Sequence, residues 1–190
     1  SYYLNRIKKL PYNVTGAYRS PEFIYNNIKL SNSCSSGSYI HTALNFYRNY
    51  GACNWNEMPY SSNNGCLDKG NSIQWNKAKS GKIKSYFKLS SFSIINLKSY
   101  LDKYYPIITA MALDNNFYGQ TDKYPYIYKT VGGSDRGGHA FVITGYDDNK
   151  KAFIAQNSWG TSKHDNGYFY LSYDVISKLK RLEMYVINPE

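Results

Sequence analysis

The run GGHAFVITGYDDNKKAFIAQNSWG, residues 137–160, contains two apolar segments, 139–146 and 151–156, on either side of the polar turn Asp147-Asp148-Asn149-Lys150. That pattern predicts an antiparallel hairpin. In such a pairing His139 opens one strand and Asn157 closes the other, so both side chains sit at the same edge of the sheet. An Asn carbonyl there accepts a hydrogen bond from one imidazole nitrogen and leaves the second nitrogen free. This is the task of the orienting third group in a nucleophilic triad. Because an amide is uncharged, it holds the ring without drawing its proton. Such a pair suits a thiol, which is acidic enough to exist as thiolate beside a histidinium. Trp159 is placed to cover the His139–Asn157 bond and keep water from it.

Outward from the hairpin, residues 107–112, 167–173 and 184–188 also read as strands, and 82–90 alternates like one. The chain upstream is helical. Ser20 and Pro21 read as cap and first turn of a helix over 21–28, a second runs near 38–50 and stops at Gly51, and a third starts at Ser93 and ends by Pro106. Residues 51–81 are turn-rich, and everything from 107 onward is expected to be strand or loop. Tyr128–Gly138 reads as a slack, glycine-rich approach to His139. Helices first and strands second predict an α+β protein. We expect one domain over 1–190, with a mostly helical lobe (1–105), a lobe of antiparallel sheet or barrel (106–190), and a cleft between them. SYYLNRIKKL, residues 1–10, reads as an amphipathic helix with Tyr3, Leu4, Ile7 and Leu10 on one stripe, and Asn13 begins a possible glycosylation triplet.

Composition excludes several classes. Of the 190 residues 42% are hydrophobic and 19% charged, a globular balance. The net charge of +10 would suit nucleic acid, but the lysines are scattered, with short clusters only at 77–84 and 178–181 and no aromatic-basic signature. A nucleic-acid partner is therefore not expected. No apolar run approaches the ~18 residues of a membrane helix. The three cysteines form no CxxC pair, and His41, His139 and His164 do not join them at metal-binding spacing, so neither metal nor cofactor is expected. Cys53 and Cys66 flank a turn-rich segment and could close a small disulfide loop, which would suit a secreted or otherwise oxidising setting.

The residues His139-Ala140, Asn157-Ser158-Trp159-Gly160 and Asn166-Gly167-Tyr168 resemble the corresponding motifs of the papain-like cysteine peptidases, and the bacterial-type members look closest. The likeness extends upstream through Ser20–Asn27, the turn Ser33–Ser38, Glu57–Tyr60 and Tyr105–Ala112, in the family's order. It implies a two-lobe papain-like fold, a peptide or protein substrate, and a Cys-His-Asn triad acting through a thioester, with His139 and Asn157 as its second and third members. It further implies that Ser36, Gly37, Ser38, Ala110 and Gly138 wall the substrate, where the small Ser38 and Ala110 leave room for a bulky apolar side chain. The family's nucleophile lies roughly 130–150 residues before its histidine. Counting back from His139 puts it between about position 9 and about ten residues before Ser1, and residues 1–9 hold no cysteine. Cys53 follows a helix and precedes a turn, the wrong setting for a nucleophile that needs a helix N-terminus. By the resemblance Cys34 is half of a disulfide whose partner lies just before the nucleophile, and Cys66 is structural. The catalytic cysteine is thus expected upstream of Ser1 or on a partner segment, with 1–10 as the rest of its helix. The alternatives are a papain-like binding or structural protein without activity, and a basic nucleic-acid binder. Lys163 and His164 stand where the family usually has Trp-Gly, which alters the site on the leaving-group side.

Overall fold

The computed structural model describes residues 18–61 and 65–188. The expected opening helix and the Asn13 triplet lie outside these. The chain divides into two compact units, one running through Tyr86 and taking back the last residues from Ile187, the other Phe87–Val186.

Among the described residues of the first unit the α-helices are α1 (Pro21–Ile28), α2 (Ile40–Asn49) and α3 (Ser72–Ala78). The Ser20 hydroxyl caps α1 by accepting from the Phe23 N–H, with Pro21 in the first turn, as the sequence predicts. Helix α3 falls inside the stretch expected to be only turns. Its start is marked by a reciprocal cap: Asn71 accepts from Gln74 N–H while Gln74 accepts from Asn71 N–H. Phe23, fully buried, packs between Trp75 and Phe46, with ring centroids 5.0 and 6.0 Å away. Gly51 ends α2 at a φ of +82°, and a Cβ there would stand 1.9 Å from the Ala78 carbonyl oxygen, so only glycine fits.

The disulfide is Cys34–Cys66, with a Cα–Cα distance of 5.5 Å. This corrects both cysteine expectations: Cys66 does not pair with Cys53, and Cys34 has its partner within the chain rather than in a missing segment. The reason lies in polar contacts from α1. Asn26 donates to the carbonyls of Gly65 and Asp68, and Lys29 to that of Cys66, which draws the 65–68 turn against the loop after α1. Tyr25 reaches the Cys34 carbonyl from the same helix. Cys53 is instead wholly buried, on a segment where Ser20 N–H donates to its carbonyl.

Among the described residues the strands are β1 (Ser85–Lys88), β2 (Ile107–Asp114), β3 (Ile127–Tyr128), β4 (Asp135–Asp147), β5 (Ala152–Gln156), β6 (Tyr168–Ser172) and β7 (Glu183–Asn188). They form one sheet in the order β1-β7-β2-β4-β5-β6-β3. The expected α+β class holds. The pairs β2–β4, β2–β7, β4–β5 and β5–β6 are antiparallel and β3 runs parallel to β6; the sheet stays open, with β1 and β3 at its edges, rather than closing into a barrel. Helix α4 (Ile94–Asp102), capped by Ser93 as expected, buries Leu97 and Leu101, one turn apart, in the core of the second unit. That core holds Ile107, Met111, Phe141, Ile143, Phe153, Phe169, Leu171 and Val186 among others.

Two features of this unit depart from expectation. Residues 115–121 form helix α5 (Asn115–Thr121) where only strand or loop was predicted. Its composition, with Asn, Gly and Thr, is a poor helix former. Asp114 caps it, and burial of Phe117 and Thr121 anchors it. Second, β4 begins at Asp135, because β2 offers it partners through Ala112–Gly138 and Leu113–Gly137 and, past an irregularity, Asp114–Asp135. His139 is therefore within the strand, opposite Met111, and not at its start. The approach to His139 is not slack either. Gln120 accepts from the N–H groups of Lys129 and Thr130 and donates back to the Thr130 carbonyl, while Gly132 N–H donates to Asp114.

Candidate active site

The hairpin of β4 and β5 forms as predicted, with Asp147 opposite Ala152 and Val142 opposite Gln156. Thr144 is left over as a bulge between Ile143 and Gly145. Beyond the Val142–Gln156 pair the two strands deliver His139 and Asn157 to one place. The His139 Nε2 and Asn157 Oδ1 atoms are 2.8 Å apart.

Which way the Asn157 amide points follows from its other contacts. Its Oδ1 also accepts from the Ser158 N–H at 2.8 Å. Its Nδ2 lies 3.0 Å from Nε2 of His164. His164 in turn has its Nδ1 3.0 Å from the backbone carbonyl of Thr121, the last residue of α5, a group that can only accept. The proton of His164 is therefore on Nδ1, its Nε2 accepts from Asn157, and Asn157 Oδ1 accepts the Nε2–H of His139. His139 Nδ1 is left without a hydrogen-bond partner among the described residues, as a base must be.

Trp159 lies over this chain. Its ring is 4.6 Å from that of His139 and 5.5 Å from that of His164, and it stacks on Tyr118 at 5.8 Å with planes 4° apart. Phe117 and Phe169 close the other sides of His164, whose side chain is fully buried. Burial pushes the His139 pKa below the ordinary imidazole value, and the bond to Asn157 opposes this. At neutral pH the ring is therefore a free base.

Of the other expected site residues, Ala110 and Gly138 are on neighbouring strands β2 and β4, opposite Ala140 and Ala112. Ser36–Ser38 are in the first unit, in the loop after α1. Ser36 accepts from Ser31 N–H and, through its carbonyl, from Tyr25; Gly37 and Ser38 are exposed. None of the three cysteines has the character of a nucleophile. Cys34 and Cys66 are oxidised. Cys53 is buried and its thiol is pushed up to about 11, chiefly by desolvation, with Glu57 adding to it. No group of three or more His, Cys, Asp or Glu side chains suited to a metal occurs among the described residues. No helix among them is long and apolar enough to cross a membrane.

His164 and Thr121 went unassigned in the sequence. They are 43 residues apart, and the sequence marks His164 as a rejected metal ligand and a departure from the family's Trp-Gly, not as a partner of Asn157. Its one local signal is backbone: it adopts a φ of +54°, a left-handed conformation that a histidine takes at a cost of roughly 1 kcal/mol.

An imidazole held by an amide under an indole, where β4 passes the end of β5, is an arrangement that can serve a nucleophile as its base. The papain family cysteine protease model matches residues 25–188, and the chain belongs to that family. A peptidase C1-like protein of Acanthamoeba polyphaga mimivirus is 27% identical over 164 residues, 80% of this chain and 52% of its own length. The chain thus spans about half of that relative. Xylellain, a cysteine protease from Xylella fastidiosa, superposes with a TM-score of 0.84 at 22% identity, over 100% of this chain and 76% of its own. The bromelain protease from Ananas comosus, solved with the inhibitor E64, gives 0.66 at 21% identity, over 91% and 79%. At these identities the two structures speak to the fold.

Proposed function

We propose that this chain supplies the base and the orienting amide of a Cys-His-Asn peptidase, with the thiol coming from a cysteine other than its own three. The observation that carries this is the 2.8 Å contact between His139 Nε2 and Asn157 Oδ1 beneath Trp159, which leaves Nδ1 bare. In the resting state a thiolate beside Nδ1 would hold His139 protonated, countering the effect of burial. The thiolate attacks the scissile carbonyl carbon. As the C–N bond breaks, His139 Nδ1 gives its proton to the leaving amine and a thioester remains. His139 then takes a proton from water, which attacks the thioester and frees the acid and the thiolate. Asn157 keeps its place throughout, holding Nε2–H so that Nδ1 is always the nitrogen that exchanges protons.

In this reading the substrate is a peptide or protein, and Ala110 and Gly138, on neighbouring strands beside His139, are the wall residues that the second unit offers it. The whole chain acts as one catalytic domain together with the segment or partner bearing the cysteine. The Cys34–Cys66 bond suits an oxidising, extracytoplasmic compartment. The state of the three cysteines equally fits a scaffold that keeps the base and no longer cuts.

Denaturing, reducing mass spectrometry of the natural protein, with and without a peptidyl epoxide, separates the two. Label on a cysteine outside these 190 residues, abolished by His139→Ala, supports the peptidase. A protein that takes no label, or takes it on Cys53, refutes it.

A further inference from the structure

We propose that His164 is a positioning residue for His139: it fixes the orientation of the Asn157 amide and, through the amide, the tautomer of the base. This rests on the peptidase reading for its consequence, though not for its geometry.

A carboxamide has nearly the same shape either way round, so something must choose between its two orientations. Only one of them places an acceptor on His139 Nε2. With the amide reversed, Nδ2 would face Nε2, the His139 proton would move to Nδ1, and the nitrogen that must accept a proton would be blocked. Two groups oppose that reversal. Ser158 N–H needs Oδ1, and His164 Nε2 needs Nδ2. His164 is the one that transmits a fixed polarity, because its Nδ1 faces acceptors only: the Thr121 carbonyl at 3.0 Å and, more distantly, the Asp122 carboxylate at 3.5 Å. The Thr121 carbonyl thus fixes the direction of the chain Thr121 to His164 to Asn157 to His139 from one end, in the same sense as the Ser158 N–H that holds Oδ1. Trp159, Phe117 and Phe169 keep water away from His164, so no solvent molecule can replace its nitrogen. The left-handed backbone at this position is where a glycine would be cheaper. That a histidine stands there instead, at a φ of +54°, agrees with a side chain that is required.

The test compares His164→Gln with His164→Leu, which share the backbone cost and similar bulk but differ in having an acceptor. Long-range proton–nitrogen NMR spectra of the ¹⁵N-histidine-labelled chain at pH 8 report each tautomer directly. The expected result is Nδ1–H for His164 and Nε2–H for His139 in the parent. His164→Gln keeps the His139 tautomer, and His164→Leu shifts a substantial fraction of it to Nδ1–H. In the complete peptidase the same pair should split kcat from KM: Leu lowers kcat about 10-fold or more with KM little changed, as loss of a supporting hydrogen bond does, while Gln restores most of it. The inference is overturned if His164 in the parent carries its proton on Nε2, a measurement that needs no variant to fold. It is equally overturned if His139 stays wholly Nε2–H in His164→Leu. The tautomer readings require neither thiol nor substrate. Agreement there with no epoxide label anywhere would support the positioning role and refute the peptidase reading separately.

Discussion

Asp114 is the side chain on which the surroundings of the site depend most, and Asp114→Asn is the substitution that shows it. The carboxylate is buried and collects three donors: Phe117 N–H on Oδ1 at 2.8 Å, and Tyr128 hydroxyl and Gly132 N–H on Oδ2 at 2.6 and 2.7 Å. It therefore caps α5, ties β3 to that helix, and pins the segment that leads into β4. Asparagine keeps the shape but has one acceptor oxygen. In its better orientation that oxygen stays with Tyr128 and Gly132, and the NH2 group faces the Phe117 N–H. The helix cap is then lost, at about 1 kcal/mol. The two remaining bonds lose the help of the charge, at about 1 kcal/mol each. The sum is about 3 kcal/mol, or a fall in Tm of roughly 6–12 °C for a chain of this size. Urea unfolding at unchanged m-value measures it, and amide hydrogen exchange should quicken first at Gly132 and along α5. A loss below about 0.5 kcal/mol, the scale of an ordinary surface change, would refute the assignment of Asp114 as the organising group.

Replacing Cys34 and Cys66 together by serine frees a loop with a sequence separation of 32 and should cost about 4 kcal/mol by loop entropy, read from urea midpoints under non-reducing conditions; parent and variant of equal stability would show that the bond does not form. Cys53 should resist iodoacetamide at pH 7.5 in the folded protein and react readily in urea, since burial pushes its thiol up to about 11 in the folded chain; rapid native labelling would contradict its burial. Because the folded state depresses the His139 pKa, the unfolded chain binds more protons just below the ordinary value of 6.5. This residue's contribution is therefore fully present above that pH and is lost as pH falls through the lowered folded value. His139→Gln should flatten the acid-side fall in Tm, and an unchanged slope would show that His139 is not the group responsible.

The predicted hairpin and the capped helices were legible because their determinants are local. Ser20 and Pro21 fix the start of α1 and Ser93 that of α4 within one turn of chain. Two apolar runs around a four-residue polar turn fix which ends of β4 and β5 meet, so the sequence by itself pairs His139 with Asn157. Helix α3 carries a local mark as well, the reciprocal cap of Asn71 and Gln74, but the turn-forming residues around it read as turns throughout 51–81.

What tertiary structure alone decided are the contacts between segments that sequence leaves far apart. Helix α5 has weak intrinsic propensity and exists because Asp114 and the burial of Phe117 hold it. Strand β4 is longer than its apolar pattern, because β2 supplies hydrogen-bond partners that exposed glycines accept as readily as valines would. The choice of Cys34 over Cys53 as partner of Cys66 was made by Asn26 and Lys29, whose long-range bonds position the 65–68 turn. And the direction of the hydrogen-bond chain through Asn157 begins at the carbonyl of Thr121, a group every residue possesses and no sequence motif can mark. Sequence thus specifies which side chains can do chemistry, and long-range packing specifies which way their protons face.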